Sequence, residues 1–112
     1  MNIWFANSKS KKLFSSEKKL KRKFGDRMAD VIMLRLVDLA GCENFKVAFL
    51  IPGRMHPLVG KLKGCFAMDL IQPHRLVLSP ANEPLPRISG PNSEVDYEQV
   101  DEIEIAGVID YH

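Results

Sequence analysis

Apolar and polar positions change rhythm twice along this chain. Asn2 to Ala6 (NIWFA) is a short run of β-branched and aromatic residues and predicts a first strand. Asn7 or Ser8 can accept a backbone N–H and start a helix. From there Leu13, Leu20 and Phe24 recur near helical spacing with Phe14 beside them, and lysines fill the other faces, which predicts one helix as far as Phe24. Gly25 stops it, and Asp26 is placed to cap the next. The second helix is the clearest element. Met28, Val31, Ile32, Leu36 and Leu39 keep one face apolar, and Gly41 is expected to close it as a left-handed cap. Two helices joined by a Gly-Asp step form an antiparallel hairpin.

Beyond Gly41 the period changes. Asn44 to Pro52 is an apolar connection with a short helical or extended piece, followed by His56-Pro57-Leu58 and the turn-like stretch Gly60 to Gly64. Cys65 to Ile71 reads as a strand, Gln72-Pro73 as a turn and His74 to Leu78 as the hairpin partner. Ser79 to Asn92 holds four of the seven prolines and no periodicity, so it is a surface loop. Val100 to Ile109 alternates acidic and apolar residues at period two, the mark of a half-exposed final strand that turns Ile103 and Ile105 inward. Helices grouped ahead of strands predict an α+β fold, an N-terminal strand and a two-helix hairpin packed on one face of a small antiparallel sheet.

Composition narrows the class. The 112 residues, 46% apolar and 27% charged, suit one globular domain over 1–112 with room for a single core. Such a chain buries roughly two-thirds of its unfolded surface. No secretory signal is evident ahead of the first lysines, and no apolar stretch approaches a membrane span, which points to a cytoplasmic protein without membrane contact. Cys42 and Cys65 stand apart among apolar neighbours and read as buried hydrophobes rather than a disulfide; with three scattered histidines they form no metal-ligand spacing, so neither metal nor cofactor is expected.

Net charge is only +2, yet ten Lys and Arg residues fall between Lys9 and Arg35, while eight Asp and Glu residues follow position 82. That asymmetry suits either a polyanion-binding face or a merely solvated helix. Arg75, in an otherwise apolar strand, either meets a phosphate or pairs with a carboxylate such as Asp69. His56, held extended by Pro57, suits packing or hydrogen bonding.

Several pieces taken together resemble one family. The short strand, the helix hairpin, His56-Pro57-Leu58-Val59-Gly60 through Gly64, the Arg75-Leu76 strand and the terminal Asp110-Tyr111-His112 look like HigB, of the RelE/ParE superfamily of toxins. The resemblance spans nearly the whole chain in element order. It implies a metal-free, ribosome-dependent mRNA endoribonuclease with its site at Arg75, Asp110, Tyr111, His112 and a basic residue near the glycine-rich turn. Val59 stands where such toxins often carry lysine, so that role passes to Lys61 or Lys63 or is lost. The long proline-bearing loop resembles the plasmid-maintenance killer proteins.

In such a site His112 moves protons, since an imidazole titrates near neutrality. Tyr111 stacks on a base or anchors the tail, and Asp110 orients a basic partner or belongs to the acidic edge. Lys18, Lys19 and Arg22 offer contacts to ribosomal RNA. The resemblance further implies a HigA-like helix-turn-helix antitoxin that binds operator DNA together with the toxin. A different reading from the same superfamily is a non-enzymatic ParE-like or degenerate toxin that acts only by binding gyrase or its antitoxin.

Overall fold

The structure, a computed structural model, describes residues 1–110. It opens with β1 (Asn2–Phe5), continues through α1 (Ser8–Phe14), α2 (Glu17–Phe24), α3 (Asp26–Gly41) and α4 (Phe45–Ala48), and ends with β2 (His56–Pro57), β3 (Phe66–Asp69), β4 (His74–Pro80) and β5 (Glu102–Asp110).

The single N-terminal helix expected from its apolar spacing is two. Ser16 adopts an extended backbone and its hydroxyl accepts the Lys19 N–H at 3.2 Å, starting α2 afresh, just as the Asn7 side chain accepts from Ser10 at 2.8 Å to start α1. The break after Phe14 lets that ring turn under the sheet and stack on Phe5 at 5.8 Å. Gly25, at φ 84°, both closes α2 and precedes α3, a left-handed turn that a side chain would strain. Asp26 is therefore not the cap but sits in the first turn of α3, where its charge favours the helix N-terminus. Gly41 also departs from expectation. It remains helical, and Cys42, extended at φ −73° and ψ 137°, ends the element.

The sheet runs β1-β5-β4-β3-β2. All neighbours are antiparallel except β1 and β5, whose parallel register pairs Ile3 with Ile103 and Phe5 with Ile105, so the α+β fold is built on a mixed sheet. Helices cover one face. Between them and the sheet lie Leu20, Ile32, Leu39, Met68, Leu76, Leu78, Ile103 and Ile105, all fully buried. Each transfers an apolar side chain out of water, a gain of about 1.5–3 kcal/mol apiece.

A second anchor is aromatic. Phe45, fully buried, lies 4.9 Å from Phe66 and 5.4 Å from Tyr97, with Phe49 closing the group at 5.6 Å, ring centroid to centroid. The Asn44 side chain starts α4 by accepting from Val47 at 3.1 Å. Phe45→Ala is expected to cost about 3–5 kcal/mol of unfolding free energy, read from urea denaturation, because the three flanking rings cannot collapse into the space.

Cys42 and Cys65 are free thiols. Cys42 is buried and donates to the Asp38 carbonyl at 3.3 Å, and burial pushes its thiol above the ordinary range. In the folded protein Cys42 should react with iodoacetamide far more slowly than in urea, as peptide mass mapping will report.

A bulge sets what β5 presents to each side. Leu78 pairs with Ile105 and Val77 with Gly107, leaving Ala106 as the extra residue. Before it, Ile103 and Ile105 face the helices. After it the parity shifts, so Val108 still packs on the helical core while Ile109 joins Leu58, Ala67 and Val77 on the opposite face. Between β4 and β5 the chain is a loop, beginning later than expected because β4 runs on to Pro80. Asn82 holds its two ends together, its side-chain oxygen accepting from Asp101 and Glu102 at 3.1 Å.

Candidate active site

The sheet face free of helices carries the polar cluster. β3 and β4 pair Asp69 with Arg75 and Ala67 with Val77, and these four side chains share that face. Asp69 Oδ1 stands 3.4 Å from Arg75 Nε, an ion pair longer than a good hydrogen bond. The other carboxylate oxygen accepts from Arg54 Nε at 2.7 Å. One carboxylate is thus shared by two guanidiniums. Arg75 meets the carboxylate proposed for it from the sequence and still reaches the surface, with 20% of its side chain exposed.

His56 completes the group. Its Nδ1 lies 2.9 Å from the Arg54 carbonyl and its Nε2 lies 3.1 Å from Arg75 Nη1. A carbonyl only accepts and a guanidinium only donates, so the pattern requires the neutral Nδ1–H imidazole, with Nε2 accepting from Arg75. What these contacts give His56 is hydrogen bonding to Arg75. Arg75 is thereby oriented from two sides.

Backbone strain supports the arrangement. Arg54 sits at φ 48°, a conformation few side chains adopt, directly after Gly53 at φ 118°. Gly53 itself is required by that φ, which a side chain would strain; the nearest neighbours of a Cβ there, Arg35 Nε and Met68 Cε, belong to flexible side chains. The Gly53 carbonyl accepts from Asp69 at 2.7 Å, which ties the turn to β3. Arg54 gave no signal in the sequence beyond its place after Pro52-Gly53, since its role comes from this turn.

The other candidates are distributed unevenly. Asp110, the last described residue of β5, pairs with His74, one residue beyond the Arg75–Ile109 pair and so beside the Arg75 cluster. Tyr111 and His112 lie outside the described residues. Lys61 and Lys63 are exposed on the loop from β2 into β3, which includes a 3₁₀ turn at Gly60–Leu62. That loop meets β3 at Phe66, three pairs from Asp69, about 10 Å along the strand. Val59, beside them, is 83% exposed. Lys18, Lys19 and Arg22 are exposed on α2, in the helical layer, and so are not gathered with Arg75. Lys19 and Arg22 instead line a groove of about 740 Å³ between α1, α2 and residues Ala106–Val108 of β5. No helix of the described residues is long and apolar enough to cross a membrane.

Comparison with solved structures places this fold among toxins. The chain is similar to one in the YoeB-YefM complex from Staphylococcus aureus, at 20% identity and a TM-score of 0.56 over 100% of this chain and 97% of that one. It is similar also to the YoeB/ParE toxin from Agrobacterium tumefaciens, at 17% identity and a TM-score of 0.57 over the full length of both. No protein-family model and no curated protein sequence matches it. The chain has the mixed-sheet α+β fold of RelE- and YoeB-like toxins.

Proposed function

We propose that this chain is the toxin of a type II toxin–antitoxin system and a ribosome-dependent, metal-independent mRNA endoribonuclease of the RelE/ParE superfamily. The observation that carries the reading is Arg75, clamped by His56 and Asp69 on the helix-free face, one strand pair from where β5 hands on to Tyr111 and His112. A fold shared with YoeB toxins supports it.

The chemistry needs no cofactor. A ribose 2′-hydroxyl attacks the adjacent phosphate, closing a 2′,3′-cyclic phosphate and expelling the 5′ oxygen of the next nucleotide. Arg75 stabilises charge on the phosphoryl oxygens. His112 transfers the proton, Asp110 orients a basic partner, and Tyr111 stacks on an unpaired base. Lys61 and Lys63, on the β2–β3 loop, hold phosphates further along the message, and Lys18, Lys19 and Arg22 contact ribosomal RNA. The motifs resemble those of HigB, and the reading extends to a plasmid-maintenance role in the cytoplasm. Its partner is a HigA-like helix-turn-helix antitoxin that reaches operator DNA as a complex, a partnership in keeping with the YoeB-YefM assembly.

A binding-only, ParE-like protein is the competing outcome, in view of the YoeB/ParE name of one similar structure. Mapping transcript ends after induced expression separates the two. Fresh cuts in translated messages support the nuclease; intact transcripts with DNA-damage signalling support gyrase as the target.

A further inference from the structure

Between Arg27 and Lys46 the chain has one Lys or Arg, Arg35, set in the apolar stretch 31–37 of α3. A guanidinium among apolar neighbours needs a partner, and this one finds it in the sheet. Arg35 Nε donates to the backbone carbonyl of Asp69 at 3.2 Å. The side chain passes over Gly53 on the way: a Cβ there would lie 2.9 Å from Nε and 3.3 Å from Cδ. One hydrogen bond thus joins the helical layer to the carboxylate residue of the candidate site.

Where Asp69 sits explains why that bond matters. β2 stops pairing with β3 at His56–Ala67, two residues short of Asp69. Past that end the Asp69 N–H goes to the Gly53 carbonyl at 2.7 Å, and its own carbonyl is met by Arg35. The side chain serves two cations. Oδ2 accepts from Arg54 Nε at 2.7 Å, and Oδ1 stands 3.4 Å from Arg75 Nε. That last contact already exceeds good hydrogen-bond length, so a small shift of the Asp69 backbone changes how firmly Arg75 is aimed.

We propose that Arg35 is a positioning residue for message cleavage: by holding the Asp69 carbonyl it fixes the carboxylate that orients Arg75 toward the phosphate, without touching the message itself. The contact is read from the structure; its role in cleavage rests on the nuclease reading above. Orientation of this kind acts on the rate of the chemical step and leaves binding of the ribosome alone.

Two substitutions in the full chain separate the hydrogen bond from charge and packing. In Arg35→Gln the amide nitrogen stands as many bonds from the backbone as Nε, so a donor is kept; Arg35→Met keeps the length and loses the donor. Both remove the charge. Each chain is assayed for its rate of cutting on translating ribosomes, its affinity for ribosomes, and the NMR signals of its arginine Nε–H groups. The methionine variant should cut about tenfold more slowly and the glutamine variant within about twofold of the parent, with ribosome affinity equal in all three. The Nε–H signals of Arg54 and Arg75 should move in the methionine variant only. Equal cutting by the two variants, or unmoved signals in the methionine variant, overturns the proposal. Should the methionine chain not fold, Arg35→Ala takes its place as the variant without a donor. Loss of the cooperative melt in both makes Arg35 a structural residue and overturns the proposal too. A parent that leaves messages intact sinks the nuclease reading instead, and the Nε–H signals alone then decide whether Arg35 sets the cluster.

Discussion

Arg75→Ala is expected to lower message cleavage by about 10²–10³, the usual loss when one positioned donor to a developing oxyanion is removed. The fold should survive. Asp69 keeps Arg54 at 2.7 Å, so the variant leaves no carboxylate without a cation. The substitution removes the group to which His56 and Asp69 both point, while the packing of Leu76, Val77 and Leu78 along β4 is untouched. Arg75→Lys should recover only part of the loss, because an ammonium keeps charge without the planar fork that two phosphoryl oxygens require. Transcript-end mapping per unit of induced protein, beside a thermal melt, checks both statements. If cleavage by the alanine variant stays within about twofold of the parent, Arg75 is a structural ion-pair partner only.

Removal of Tyr111 and His112 is expected to abolish growth arrest, with a fall in cleavage of about 10²–10⁴ if the imidazole moves the proton. The described register of β5 against His74 through Pro80 pairs residues up to Asp110, and the core residues Ile103 and Ile105 lie well before the cut, so the truncated chain is expected to fold, as a thermal melt beside the parent will report. A second variant, His112→Ala alone, separates the proton carrier from the stacking ring. It should lose cleavage while retaining most of its affinity for ribosomes. Growth arrest unchanged by the truncation would remove the tail from the mechanism.

How much of this was legible in the sequence depended on whether the information was local. α3 was readable because its apolar positions repeat through four turns, and β5 because acidic and apolar residues alternate. The break before α2 was hidden: Leu13, Leu20 and Phe24 stay in helical phase across it, although Ser16 followed by Glu17 is an ordinary helix start. The parallel pairing of β1 with β5 could not be read from either strand, since alternation shows which side is buried but not which neighbour is beside it.

Within the candidate site the same division holds. Arg75 drew attention as a lone cation in an apolar strand, and Asp69 was named as its possible carboxylate partner; the hairpin register that joins them follows from the Gln72-Pro73 turn. Arg54 was invisible, because only the left-handed backbone after Gly53 brings it to Asp69. Lys61 and Lys63 were grouped with Arg75 from a glycine-rich pattern that specifies a turn but not its distance from the next hairpin. The same holds for Lys19 and Arg22, whose place in the groove beside β5 depends on where α2 packs.

The most direct test of the central claim is to add the purified protein to ribosomes translating a defined message and to map both new ends. The account predicts cuts only in messages under translation, with a 5′-hydroxyl on the downstream fragment and a 2′,3′-cyclic phosphate or its opened 3′-phosphate upstream. Intact messages, or fragments bearing 5′-phosphates, would contradict it.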